Sequence, residues 1–104
     1  MIRQSILRLA SAVVRHDKGS MKFIGSIEGV QGDCVLSYRM IQNKHSDFYS
    51  TLTDHRAQGK GLAGEVVGTA CRWAKLEGIS VRPTCSYVEA FMNKRDEFRG
   101  IIKW

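Results

Sequence analysis

Residues Asp54–Glu65 read DHRAQGKGLAGE. The strand-like segment FYSTLT (Phe48–Thr53) runs into this stretch. Leu62, Ala63, Val66, Val67, Ala70, Trp73 and Ala74 follow it at three- and four-residue spacing. That spacing predicts an amphipathic helix ending near Glu77, with Gly78 as its C-cap. The stretch is therefore a strand-to-helix turn rich in residues without a Cβ. A turn of this kind exposes unpaired N–H groups at the positive end of a helix dipole, which suits an anion. Gly59 and Gly61 remove Cβ atoms that would hold a diphosphate away from those amides, and Arg56 and Lys60 add formal charge. The same composition also fits an ordinary glycine-rich helix start, and the physics of the turn leaves both readings open.

Two familiar phosphate motifs fail here. Gly59, Gly61 and Gly64 spell G-x-G-x-x-G. The dinucleotide fingerprint, however, needs its strand to meet the first glycine directly and an acid about 20 residues on. Asp54–Gln58 intervene, and the matching downstream residues are Pro83, Thr84 and Cys85. The P-loop fails as well, because Lys60 is followed by Gly61 rather than Ser or Thr, and Asp54 stands where its first glycine belongs.

Working outward, MKFIGSIE (Met21–Glu28) reads as a strand, GVQGD (Gly29–Asp33) as a hairpin turn and CVLSYRMI (Cys34–Ile41) as a second strand. QNKHSD (Gln42–Asp47) reads as a polar loop, and Phe48–Thr53 is aromatic and β-branched, a third strand. After the helix, ISVRP (Ile79–Pro83) is a short buried strand that Pro83 stops or kinks. A helix from Tyr87, a polar break at Asn93–Asp96 and a short apolar tail complete the chain. The order β-β-β-turn-α-β-α predicts an α/β (α+β) fold: a mixed, mostly antiparallel sheet with a β-turn-α-β crossover and a C-terminal helix.

The N-terminus, MIRQSILRLASAVVRHD, holds Arg3, Arg8 and Arg15 with no acid before Asp17. Ile2, Ile6, Leu9 and Val13 fall at helical spacing, as in a mitochondrial transit peptide. A short surface helix or tail running into a strand near Ala12–Val14 is the other reading. The expected organisation is a leader or tail over residues 1–12 and one domain over 13–104.

The chain has 104 residues, 43% hydrophobic and 25% charged, in the ordinary range for one small globular domain. No apolar run approaches the ~20 residues of a membrane-spanning helix, so no membrane association is expected. A net charge of +6 favours an anionic ligand or surface, or is solvated excess. Basic residues are scattered without an aromatic-basic stacking motif, which argues against a small nucleic-acid-binding domain. Cys34, Cys71 and Cys85 form no C-x-x-C pair, so neither a disulfide framework nor a structural zinc site is expected. A reducing, intracellular compartment, cytoplasmic or mitochondrial matrix, follows. His16, His45 and His55 lie on polar segments without metal-ligand spacing and read as surface residues; no metal site is expected.

Two segments together carry a resemblance. The turn contains [QR]-x-x-G-x-[GA] twice, as Arg56-x-x-Gly59-x-Gly61 and as Gln58-x-x-Gly61-x-Ala63, and PTCSYV (Pro83–Val88) follows downstream. With RWAKLEGISVRP between them, the chain from about Val13 to Ile102 resembles the GNAT superfamily of acetyl-coenzyme A-dependent N-acetyltransferases. Within it, the resemblance is to the minimal single-domain branch.

The resemblance implies a truncated GNAT fold whose sheet splays to admit coenzyme A. It implies that Gln58, Gly59, Lys60, Gly61, Leu62 and Ala63 hold the cofactor's pyrophosphate, and that the strand at Leu52 and Thr53 pairs with the pantetheine arm. It further implies direct acetyl transfer to the amine of a protein or small molecule. Cys85 then lies near the cofactor sulfur as general acid, nucleophile or simple core residue, and Tyr87 is a second proton donor or a packing residue. One departure stands out. The branch carries His-Thr in the strand before the loop, and this chain carries Ser50-Thr51. A coenzyme A-binding module without transferase activity is the alternative that departure raises.

Overall fold

The computed structural model describes residues 12–104. The expected leader therefore lies almost wholly outside the described residues. Among the described residues five strands form one sheet in sequence order: β1 (Ala12–Asp17), β2 (Lys22–Ile27), β3 (Cys34–Gln42), β4 (His45–Thr53) and β5 (Ser80–Arg82). The first four are antiparallel neighbours, and β5 joins β4 in parallel. A 3₁₀ turn (His55–Ala57) and the long helix α1 (Leu62–Glu77) make the crossover between β4 and β5, and α2 (Ser86–Asn93) and α3 (Asp96–Arg99) follow. Among the described residues no helix is long and apolar enough to cross a membrane.

The expected mixed, mostly antiparallel α+β fold is the fold observed. The strand expected near Ala12–Val14 is real and extends to Asp17. The segment Gln42–Asp47, expected as a polar loop, is instead a tight hairpin at Asn43–Lys44, with Lys44 at φ 64° and β4 already begun at His45. Polar residues enter the strand there because distant groups satisfy them. His45 Nδ1 pairs with Ser80 Oγ at 2.8 Å, and Ser46 Oγ donates to Ser80 O at 2.9 Å. His45 is thus buried rather than a surface residue.

One face of the sheet and α1 enclose the core. Phe23, Leu36, Tyr38 and Phe48 from the strands meet Leu62, Val66, Val67, Ala70, Cys71 and Ala74 from α1; Val88, Met92 and Phe98 close the far side. Close approach of α1 to the sheet depends on Gly25. A Cβ there would lie 2.4 Å from Val66 Cγ2 and 3.1 Å from Leu62 Cδ1. His16, another expected surface residue, is half-buried in this region. Its ring stacks on Phe23 at 3.9 Å, meets Trp73 edge-on at 4.7 Å, and its Nε2 pairs with Tyr38 OH at 2.6 Å.

Two features of β4 prepare the site. Its register with β3 shifts between Ser37 and Tyr38, leaving Tyr49 as an extra residue, and a bulge of this kind bends a strand. Its pairing with β5 lasts only from His45–Ser80 to Asp47–Arg82. Beyond that the two strands part, and the last backbone tie between them is Cys85 N donating to Phe48 O at 3.1 Å.

Candidate functional site

Where β4 and the β5–α2 corner separate, a cleft of about 520 Å³ opens. Thr51, Leu52 and Thr53 of β4 form one wall, and Ala57, Gln58, Gly59 and Gly61 of the turn form another. Leu62, Ala63 and Gly64 of α1 and Tyr87 of α2 complete it. Among the described residues the β4 wall is a strand edge without a neighbouring strand on this side, since β5 has already turned away. Leu52 is 71% exposed there, a large apolar side chain left at the rim. Gln58 Nε2 donates to Thr53 O at 3.2 Å and so fixes the turn against the end of β4.

The turn itself has the conformation its glycines allow. Gly59 and Gly61 sit at φ 76° and 81°, in the left-handed region that L residues with side chains rarely occupy. Among the described residues nothing lies within 4 Å of a Cβ built on either, so both open onto free space. Gly61 is the N-cap of α1 and makes no side-chain cap bond; the first helical bond is Glu65 N to Gly61 O at 3.3 Å. The N–H groups of Leu62, Ala63 and Gly64 precede that bond and have no intrahelical acceptor. A concave wall of free amides at the positive end of a 16-residue helix is a fitting seat for a diphosphate. Helix α1 starts at Leu62, so the register Gln58-x-x-Gly61-x-Ala63 is the one that straddles the turn.

The expected charges behave differently from one another. Arg56 is spent elsewhere: its guanidinium donates to Asp54 Oδ1 and Oδ2, both at 3.0 Å, and to Gln31 Oε1 at 2.7 Å. It thereby ties the 3₁₀ turn to the β2–β3 loop instead of lining the cleft. The Arg56 side chain, reinforced by its backbone N–H, holds the Asp54 carboxyl far below the usual carboxylate range. Lys60 is exposed and stands outside the lining. His55 faces solvent with its side chain 84% exposed.

Of the other expected residues, Leu52, Thr53, Gln58, Gly59, Gly61, Leu62, Ala63 and Tyr87 come together on the cleft. Cys85 does not line it. It is the half-buried N-cap of α2, one hydrogen bond behind the wall, where its Sγ donates to Thr51 Oγ1 at 3.6 Å. Tyr87 OH approaches the first turn of α1, 3.8 Å from where a Gly64 Cβ would stand. Ser50 is absent from the lining. Thr51, Ala57 and Gly64 are lining residues that sequence reasoning missed. The strand period of two pointed to Thr51, since residues 51 and 53 share a face.

A further group lies where the strands part. Asp47 is buried, and both of its carboxylate oxygens are engaged. Thr84 Oγ1 donates to Oδ1 at 2.6 Å, while Arg39 and Arg82 donate to Oδ2 at 3.0 and 3.3 Å. Burial opposes its ionisation, but the Thr84 and Arg82 hydrogen bonds and the two guanidinium charges outweigh burial and lower its pKa. Among the described residues no three His, Cys, Asp or Glu side chains converge as a metal site requires.

The family model described as a GCN5-related N-acetyl-transferase matches residues 23–101. No curated protein matches the chain.

Proposed function

Because the chain belongs to the GCN5-related N-acetyltransferase family, we propose that it transfers an acetyl group from acetyl-coenzyme A to the amine of a protein or small molecule. The observation that carries this reading is the cleft itself. It joins an unpaired strand edge at Thr51–Thr53 to a cradle of free amides at Gly61–Gly64. The first offers backbone donors and acceptors to the amides of a pantetheine arm, as an added strand would use them. The second offers the dipole end and N–H groups to a diphosphate.

When bound, the thioester supplies an acyl group open to amine attack and a thiolate leaving group. The chain's own part is to hold the two reactants in line and to manage protons. Tyr87, in the lining, carries the phenol that gives a proton to a departing thiolate. Cys85 acts from behind Thr51, orienting its hydroxyl and offering a thiol proton through it. With Cys34, Cys71 and Cys85 all free thiols, the enzyme suits a reducing compartment.

The reading is tested by calorimetric titration with acetyl-coenzyme A alongside acetyl transfer to a panel of amines and peptides. Cys85→Ala is expected to lower turnover about tenfold or more, within the 10²–10⁴-fold span of proton-transfer effects or just below it, while affinity stays within about twofold. Equal losses in both would make Cys85 a packing residue.

A second reading has its own support. Tyr87 is the sole ionisable side chain among the described lining residues, so the lining offers no imidazole or carboxylate to take a proton from an ammonium acceptor. Ser50 stands where the resembled branch has histidine. Tight binding with no transfer across a pH series from 6 to 10 would make the protein a coenzyme A-binding module.

A further inference from the structure

We propose that Asp47 is a positioning residue: through Thr84 it holds the β5–α2 corner at the angle that opens the cleft and turns Cys85 toward Thr51. The functional consequence rests on the transferase reading, whereas the clamp stands on geometry. Three hydrogen bonds cross from β4 to the corner in register. Thr84 Oγ1 reaches Asp47 Oδ1 at 2.6 Å, Cys85 N reaches Phe48 O at 3.1 Å, and Cys85 Sγ reaches Thr51 Oγ1 at 3.6 Å. They begin at the residue where parallel pairing stops, since Asp47–Arg82 is the last β4–β5 pair.

The two oxygens of Asp47 divide the labour. Oδ2 faces Arg39 of β3 and Arg82 of β5, which anchors the carboxylate to the sheet. Oδ1 is left for the corner. A side chain only 1% exposed that carries a charge is costly unless every lone pair is used, and an apolar residue would fill the space more cheaply. Its use at this point is explained by the direction it imposes. The bulge at Tyr49 lies two residues beyond it, so β4 bends away just after the clamp, and the segment beyond the bend, Thr51–Thr53, is the cleft edge. Bend and clamp together set the opening.

Thr84→Val removes the hydroxyl at nearly constant volume and is the decisive variant. Iodoacetamide labelling followed by mass spectrometry reads the corner directly, with buried Cys34 and Cys71 as internal controls. Loosening the corner is expected to raise the Cys85 labelling rate about fivefold or more. It is expected to weaken acetyl-coenzyme A about tenfold, the equivalent of one lost hydrogen bond. Thr84→Ser restores the hydroxyl and returns both values to near wild type. Asp47→Asn keeps Oδ1 as an acceptor for Thr84 but puts an NH2 donor where Oδ2 accepted from Arg39 and Arg82. It therefore loses the charge and both of those hydrogen bonds, and lowers the unfolding midpoint while labelling stays near wild type. A Thr84→Val protein that merely melts earlier, with labelling and affinity unchanged, would overturn the proposal. If wild-type protein fails to bind acetyl-coenzyme A, the transferase reading falls, and the labelling series still decides the clamp.

Discussion

Two glycines mark two kinds of space in this molecule. Gly25 sits in the middle of β2 where α1 presses on the sheet, and a Cβ there would meet Val66 and Leu62 at once. Gly61 sits at the start of α1, and a Cβ there would meet nothing within 4 Å. The first glycine exists because the region is full; the second because the backbone must take a left-handed turn beside a cleft. The filled end gains its stability from side-chain burial. The open end exposes what folding elsewhere hides: a strand edge without a partner and helix N–H groups without acceptors. Free backbone is a liability in a fold and an asset in a binding site.

Gly61→Glu breaks the open side of that comparison and is the largest effect expected. The side chain has room, so the fold bears only the strain of a left-handed L residue, about 1–2 kcal/mol. Its carboxylate enters the seat of the diphosphate, and acetyl-coenzyme A affinity is expected to fall about 100-fold or more, roughly 2.7 kcal/mol. Calorimetric titration checks the affinity, and circular dichroism checks that the fold persists. Unchanged affinity would remove the glycine turn from the cofactor site.

Gly25→Ala tests the filled side and is expected to cost stability more than affinity. A methyl 2.4 Å from Val66 Cγ2 must displace α1 or the strand. Overpacking of this kind costs about 1–3 kcal/mol. Denaturant unfolding reads the loss as a lower midpoint with an unchanged slope. Because Leu62 is one of the displaced contacts and opens α1, a modest loss of cofactor affinity accompanies the loss of stability. For Gly61→Glu the affinity loss exceeds the stability loss, and for Gly25→Ala the ranking is reversed.

The two regions also differed in how far the sequence disclosed them. The β2–β3 hairpin and α1 were legible because their apolar residues recur at periods of two and 3.6, which local steric rules impose. The glycine turn was legible for a similar reason, since residues without a Cβ between a strand and a helix have few explanations. His45 and Ser46 were misread because their partner is Ser80, 35 and 34 residues away, and no local pattern announces such a bond. Arg56 was counted toward the anion seat because its charge is visible in the string, whereas its commitment to Asp54 and Gln31 is not. Asp47 escaped notice altogether: an acid inside QNKHSD looks solvated until Thr84, Arg39 and Arg82 fold around it. Cys85 was expected near the cofactor sulfur; it stands behind Thr51, a position that depends on the corner angle and that no local pattern announces. Periodicity and missing Cβ atoms are local signals; satisfied burial is a long-range one.

The smallest expected effect belongs to His16, at the filled end. Its ring stacks on Phe23, meets Trp73 edge-on and pairs with Tyr38 OH. Burial disfavours the imidazolium and Lys18 repels it, while Asp17 opposes both only in part, so its pKa falls below the ordinary 6.5. In the window between the folded value and about 6.5 the unfolded chain binds more protons than the folded one, and stability there rises with pH. The His16 contribution to stability is therefore constant above that window, declines as pH falls below about 6.5, and levels off once the folded imidazole is also charged. Urea midpoints measured from pH 8 to pH 5 should show this step, and His16→Gln, which cannot titrate, should flatten it. The cleft gives this experiment its contrast. With Tyr87 its sole ionisable described lining residue, the cofactor's own 3′-phosphate is the group that titrates in this window. Wild type and His16→Gln should therefore show the same pH dependence of acetyl-coenzyme A affinity once corrected for the folded fraction. A difference between the two would mean that the two ends of the sheet are coupled through α1.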